Sequence, residues 1–311
     1  MNTIYISFTN WENKKLLEPL RKMAEVVIAE KIPTQDEFRE MVREYDGVII
    51  GRFHTIDKEV LDHSTLKFVG LVAKGTNNID VEECKKKNVA VFYTPEANIT
   101  SVAEHVMTLI LALSKNLVKL DKSVREEQFD VYRHSTVEVR DKVLGVIGAG
   151  PIAQEVIKRV RVFDMNVMCY TPHPENHQDL NVTFVSLAEL LGSADFVSLN
   201  IPLSDATKNL IGEKELSLMK KTAFLVNTAR GGIVDERALA HALKNHTIAG
   251  AGIDVFEEEP THNKELFECD TAILTPHVAG VSKEALYRME EHVVNDIIAF
   301  LENRQPKYRL V

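Results

Sequence analysis

Short apolar runs alternate with helical periodicity along almost the whole chain. Residues 4–8, 26–29, 48–50, 68–72 and 89–93 each read as a buried strand. Between them, Leu16, Leu17 and Leu20 line one helix, Thr34-x-x-Glu37 forms a capping box that opens a second through Phe38 and Val42, and residues 80–87 make a third. Strands that are apolar throughout and separated by helices predict a parallel sheet covered on both faces. A long helix follows, from Ser101 to about Lys122. Val102, Val106, Leu109, Ile110, Leu113 and Leu117 make much of its circumference apolar, which predicts burial within the molecule or in an oligomer interface. Residues 123–140 carry few apolar positions and read as an arm or crossing loop. A second alternating series then runs through strands at 143–147, 167–170, 196–199, 224–226, 248–255 and 272–274, and an amphipathic helix at 282–301 closes the chain. The predicted fold class is α/β, with two doubly wound parallel-sheet domains.

Composition narrows the function classes. A chain of 311 residues can build two cores, and 45% hydrophobic with 27% charged residues is ordinary for a folded globular protein. The net charge of −9 argues against a nucleic-acid partner. No apolar run is long enough for a membrane span, and no signal-peptide layout opens the chain. Cys84, Cys169 and Cys269 are scattered and odd in number, so neither a metal site nor a disulfide framework is indicated, and a reduced cytoplasmic setting is the default expectation. Lys85, Lys86 and Lys87 end a helix, where the dipole favours cations without any ligand.

Chemistry enters at residues 143–153. An apolar strand runs into Gly148-Ala-Gly150-Pro151-Ile152-Ala153, and Ile152, Val156, Ile157 and Val160 then recur on a helical period. Strand, glycine turn and helix are the context a dinucleotide fingerprint requires. Gly148 permits the turn, Gly150 lets a pyrophosphate approach the backbone, and Ala153 allows close packing. The helix N-terminus faces the anion. A plain tight turn without a ligand is the bland alternative. Three further stretches stand just beyond predicted strand ends, where open parallel sheets hold ligands: Asn227-Thr228-Ala229-Arg230-Gly231-Gly232, Asp254 to Glu259-Pro260, and Thr275-Pro-His277-Val-Ala279-Gly280.

Together with Ala103-Glu104-His105, this ordered set resembles the D-isomer-specific 2-hydroxyacid dehydrogenase family over nearly the whole chain. The resemblance implies a discontinuous substrate domain (residues 1–97 and 283–311), flavodoxin-like, and a Rossmann dinucleotide-binding domain (98–282) with the active site between them. It implies NAD or NADP as cofactor, a small anionic substrate, and a homodimer. Arg230, Glu259 and His277 are the catalytic set it implies. The chemistry agrees: a guanidinium fork holds a carboxylate bidentately, an imidazole can exchange the proton, and a carboxylate on the far ring nitrogen fixes its tautomer and favours the protonated ring. Lys74 and Gly75 join Arg230 and His277 as substrate-binding residues. Gly148, Gly150, Pro151, Ile152, Tyr170, Thr171, Asn200, Ile201, Pro202, Thr207, Thr228, Ala229, Arg230, Asp254, His277, Ala279 and Gly280 make up the implied cofactor site. His105 reads as structural; the remaining histidines (54, 63, 134, 173, 177, 241, 246, 262 and 292) show no ligand spacing and read as surface residues.

Four departures from the family pattern matter. Thr171 stands 21 positions past Gly150, where an aspartate usually meets the ribose, so NAD and NADP stay open, and His173 could assist a 2′-phosphate. Pro151 suits a first helical turn but removes a side-chain contact to the pyrophosphate. Lys74, in a loop otherwise similar to glycerate dehydrogenases and hydroxypyruvate reductases, matches phosphite dehydrogenases, unless it is a plain surface lysine. With the sequence ending at Val311, the serine-binding regulatory domain of many phosphoglycerate dehydrogenases is not expected. The expected activity is hydride transfer between NAD(P)H and a small 2-oxo acid of the glyoxylate, hydroxypyruvate or phosphohydroxypyruvate type. Phosphite oxidation is the alternative, and a cofactor-sensing, corepressor-like interaction protein a remote one.

Overall fold

The structure is a computed structural model, and it describes residues 1–9, 11, 14–129 and 136–311. The chain divides into two compact units, one of Met1–Asn98 with Val281–Val311, the other of Ile99–Gly280.

The first unit is built on β1 (Asn2–Ile6), β2 (Ala24–Ile28), β3 (Gly47–Ile50), β4 (Phe68–Leu71) and β5 (Ala90–Phe92). All pair in parallel in the order β2-β1-β3-β4-β5. That is the flavodoxin-like order of a doubly wound sheet. Alternate strand residues serve opposite cores. Tyr5, Val48, Ile50, Val69 and Val91 pack on one face with Phe38 and Val42, while Ile4, Ile6, Ile49, Phe68 and Phe92 pack on the other with Leu17 and Leu20. The closing helix Lys283–Leu301 supplies Val293, Val294 and Ile297 to the second face, so the chain end completes this unit. The capping box is present: the Thr34 hydroxyl accepts from the Glu37 N–H and the Glu37 carboxylate from the Thr34 N–H.

The second unit carries β6 (Val143–Ile147), β7 (Asn166–Tyr170), β8 (Thr183–Phe184), β9 (Phe196–Leu199), β10 (Phe224–Asn227), β11 (Gly250–Ile253) and β12 (Ala272–Leu274). Their order is β12-β11-β10-β9-β6-β7-β8, all parallel, and the sequence reverses at β6. This is the dinucleotide-binding order extended by a seventh strand. The carboxyl ends of β6 and β9 therefore flank the switch point, and the glycine turn leaves β6 there.

The structure corrects several expectations. The sheet has seven strands rather than six, because Thr183–Phe184 adds a two-residue edge. The strand expected at 248–255 is confined to Gly250–Ile253. The long helix ends at Ser114; Asn116 turns left-handed at φ 50°, and a separate helix runs Leu117–Arg125. Asparagine tolerates that conformation better than most residues. The apolar face of Ile99–Ser114 is buried inside its own unit against Val156, Ile157 and Val160 of the helix Pro151–Val162, so it does not argue for an oligomer. His54, expected at the surface, is 1% exposed, with its ring stacked 4.4 Å from Phe38 and Nε2 bonded to the Pro33 carbonyl at 2.9 Å. His292 is half-buried against Tyr308. His134 and part of the expected arm lie outside the described residues.

Candidate active site

The glycine turn is shaped for an approaching anion. Gly148 has φ +100°, and a Cβ there would stand 2.5 Å from the Asn200 carbonyl oxygen and 2.8 Å from Ile201 Cγ2. Only glycine fits. Its N–H donates to the Tyr170 carbonyl at 2.8 Å, tying the turn to the end of β7. At Gly150 the situation is opposite: a Cβ would meet nothing within 4 Å, so the space above it is open. Gly150 is the N-cap of Pro151–Val162, and Pro151 occupies its first turn as the backbone there allows. Ala153, fully buried, keeps that helix close to β6. The buried Asn200 Oδ1 has no hydrogen-bond partner, although Nδ2 donates to Ser198. An orphan acceptor beside an open glycine turn fits a bound dinucleotide. Beyond β9, Thr207 Oγ1 donates to the Pro202 carbonyl at 2.7 Å and accepts from the Ser204 N–H, holding that loop in place.

Arg230 leaves the end of β10 on a loop stapled by Asn227. The Asn227 side chain accepts from the Ala229 N–H at 3.0 Å and donates to the Arg230 carbonyl at 3.0 Å. Gly231 then lets this loop lie directly on the loop after β11: a Cβ at 231 would fall 1.8 Å from the Phe256 carbonyl oxygen. Arg230 is thereby brought close enough to Glu259 to feel its charge. Burial pushes the Arg230 guanidinium below its ordinary value, and the Glu259 carboxylate pulls it back up.

Glu259 is held from both sides. Oε1 accepts the Phe256 N–H at 3.0 Å, and Oε2 lies 2.7 Å from His277 Nδ1. This bond commits Nδ1 to the carboxylate and fixes the orientation of the ring. His277 itself sits at φ +53°, an unusual conformation for a histidine. Asp254 fixes it. The fully buried Asp254 carboxylate accepts Thr275 Oγ1–H at 2.6 Å, Val278 N–H at 2.9 Å and Ala279 N–H at 2.9 Å, and its carbonyl accepts the His277 N–H at 2.7 Å. His105 reaches the same clasp, with Nε2 3.1 Å from Thr275 Oγ1, and Ser101 Oγ donates to the Ala279 carbonyl at 2.7 Å. Loops following three neighbouring strands thus converge on one acid–base pair beside one cation.

A family model for the D-isomer specific 2-hydroxyacid dehydrogenase NAD-binding domain matches residues 107–279. The chain belongs to that family. A glyoxylate reductase of Pyrococcus horikoshii is 41% identical over 85% of this chain and 82% of its own length. A glyoxylate reductase of Thermococcus litoralis is 38% identical over 89% and 86%. Among solved structures, the TT0316 protein of Thermus thermophilus superposes with a TM-score of 0.91 at 32% identity, covering 99% of this chain and 100% of its own. An acyclic imino acid reductase solved with NADPH and D-Arg reaches 0.90 at 28% identity over the full length of both chains. As a 2-hydroxyacid dehydrogenase, the protein is an oxidoreductase that moves a hydride between NAD or NADP and a 2-hydroxy or 2-oxo acid.

Sequence reasoning missed the supports of this site: the Asn227 staple, the Phe256 N–H on Glu259, the triple bond set of Asp254 and the close approach at Gly231. The glycine was visible in its motif, but its contact lies on another loop. Thr171 stands at the close of β7, and its hydroxyl accepts the His173 N–H at 3.4 Å. The loop of Lys74 and Gly75 belongs to the first unit. Asn78 fixes it by donating to the Gly51 carbonyl at 3.1 Å and the His54 carbonyl at 2.7 Å. Among the described residues no cluster of potential metal ligands occurs, and no helix is long and apolar enough to cross a membrane.

Proposed function

We propose that the enzyme reduces glyoxylate or a similarly small 2-oxo acid, with Arg230 binding the substrate carboxylate, His277 delivering the proton and Glu259 positioning His277. The observation that carries this reading is the Glu259–His277 bond of 2.7 Å with the second carboxylate oxygen pinned by Phe256. A doubly anchored carboxylate holds the ring in one orientation, from which it can pass a proton to the substrate. Arg230 offers a planar fork suited to a carboxylate. The nicotinamide, when bound, supplies the hydride. His277 Nε2 gives its proton to the carbonyl oxygen as charge develops there, and Glu259 compensates the positive charge before the proton leaves. The names of the glyoxylate reductase relatives support the choice of substrate. Lys74 and Gly75 are assigned to substrate anion binding.

Leu117, Val118 and Val124 are each more than half exposed on the helix Leu117–Arg125, and they support association of two copies through this surface. The three buried free thiols support a cytoplasmic setting. The test is loss of nicotinamide absorbance with NADH and NADPH against glyoxylate, hydroxypyruvate and phosphohydroxypyruvate, with phosphite and the oxidised cofactors alongside. Turnover of glyoxylate supports the reading; turnover of phosphite alone overturns it.

A further inference from the structure

The residue just after β7 is where dinucleotide folds place an acidic side chain against the adenosine ribose, and here it is the neutral Thr171. The turn that follows contains a carboxylate. Thr171 Oγ1 accepts the His173 N–H at 3.4 Å, and His173 Nδ1 lies 3.1 Å from Glu175 Oε1, so Thr171, His173 and Glu175 form one bonded turn at the end of the strand. His173, the side chain the sequence offered to a 2′-phosphate, therefore faces a carboxylate. The arginines of the preceding helix are also engaged. Arg161 donates to the Leu180 and Asn181 carbonyls at 2.8 and 2.6 Å, while Arg159 is bonded to Glu155 and lies 3.6 Å from Glu104.

We propose that Glu175 takes the part of the missing acidic residue: it accepts from the ribose hydroxyls and repels a 2′-phosphate, so the enzyme selects NAD(H) over NADP(H). The proposal rests on the cofactor lying across the Gly148–Ala153 turn, and it does not depend on which 2-oxo acid is reduced. Glu175 and His173 are both largely solvent-exposed, at 64% and 71%, so the selectivity is modest and weakens with salt.

The experiment is direct titration of the full-length protein with NADH and with NADPH, read by nicotinamide fluorescence at low and high salt, for the natural chain and for Glu175→Gln. Glutamine keeps an acceptor for the ribose and removes the charge. The natural protein should bind NADH more tightly. In the variant, NADPH affinity should rise about fivefold, the scale of an exposed charge pair, with NADH affinity little changed. Tighter binding of NADPH by the natural protein overturns the proposal, as does a variant in which neither affinity moves. Equal weakening of both cofactors also overturns it, because that marks a structural role for the turn. Since the titration needs no oxo acid, failure of the proposed substrate would appear as absent turnover with cofactor binding intact.

Discussion

Replacing Gly231 by alanine should disable the enzyme without unfolding it. The added methyl would lie 1.8 Å from the Phe256 carbonyl oxygen, 2.0 Å from its carbon and 2.5 Å from the Glu257 nitrogen, all of them backbone atoms that no rotamer change can move. Ordinary carbon–oxygen contact requires roughly 3.5 Å, so the Arg230 loop and the Glu259 loop must separate by more than about 1 Å. Displacement of that size at reacting groups costs on the order of a hundredfold in rate. Overpacking of this kind also costs about 1–3 kcal/mol in stability, which a domain of this size can bear. The neighbouring glycine supplies the control. Gly232 has φ +75°, but a Cβ there would meet only Leu203, at 3.7 Å. Gly232→Ala should therefore lose about 1 kcal/mol from backbone strain and little activity. The assay is kcat/KM for 2-oxo acid reduction, with urea unfolding and NADH affinity measured on the same preparations. A Gly231→Ala enzyme within about threefold of the natural kcat/KM would refute the claim that this contact sets the catalytic geometry.

Other parts of the structure give equally specific expectations. Asp254→Asn places an amide NH2 against a backbone N–H; it should cost about 2–3 kcal/mol in urea unfolding and lower kcat, and unchanged stability would show that the clasp is dispensable. Burial lowers the His54 imidazole below its ordinary value, so the unfolded chain binds the proton more readily. Stability from this residue is complete above the unfolded value of about 6.5 and declines as pH falls through it toward the folded value; His54→Gln should flatten that decline, and an unchanged slope would contradict the assignment. Lys74→Ala should raise KM for a dianionic substrate such as phosphohydroxypyruvate more than for glyoxylate, and equal effects would remove Lys74 from substrate selection.

The sheet of each unit was legible because its strands are buried on both faces and appear as unbroken apolar runs. Thr183–Phe184 was not, because a two-residue, part-exposed edge carries no such run. The break at Lys115–Asn116 escaped for a different reason: Leu113 and Leu117 keep the apolar period across it, and only the left-handed Asn116 marks the turn. His54 shows the limit of reading burial from residue type, since its position depends on Phe38 and on the Pro33 carbonyl, about 20 positions away. In the site, Arg230, Glu259 and His277 stand in recognisable motifs, and the resemblance named them together. What places them is non-local. Gly231 meets Phe256, and Asp254 gathers Thr275, Val278 and Ala279, in contacts created only when β10, β11 and β12 lie side by side.

The central claim is that His277 supplies the proton while Glu259 holds it in place. It is tested most directly by kcat/KM for glyoxylate reduction across pH in the natural enzyme, His277→Asn and Glu259→Gln, with NADH binding measured for each. The account predicts that His277→Asn loses about a thousandfold or more in kcat/KM with cofactor binding intact. It predicts that Glu259→Gln retains only part of the activity across the pH range, because the ring has lost the carboxylate that holds its orientation. Activity in His277→Asn close to that of the natural enzyme, or a Glu259→Gln profile superimposable on it, would contradict the account.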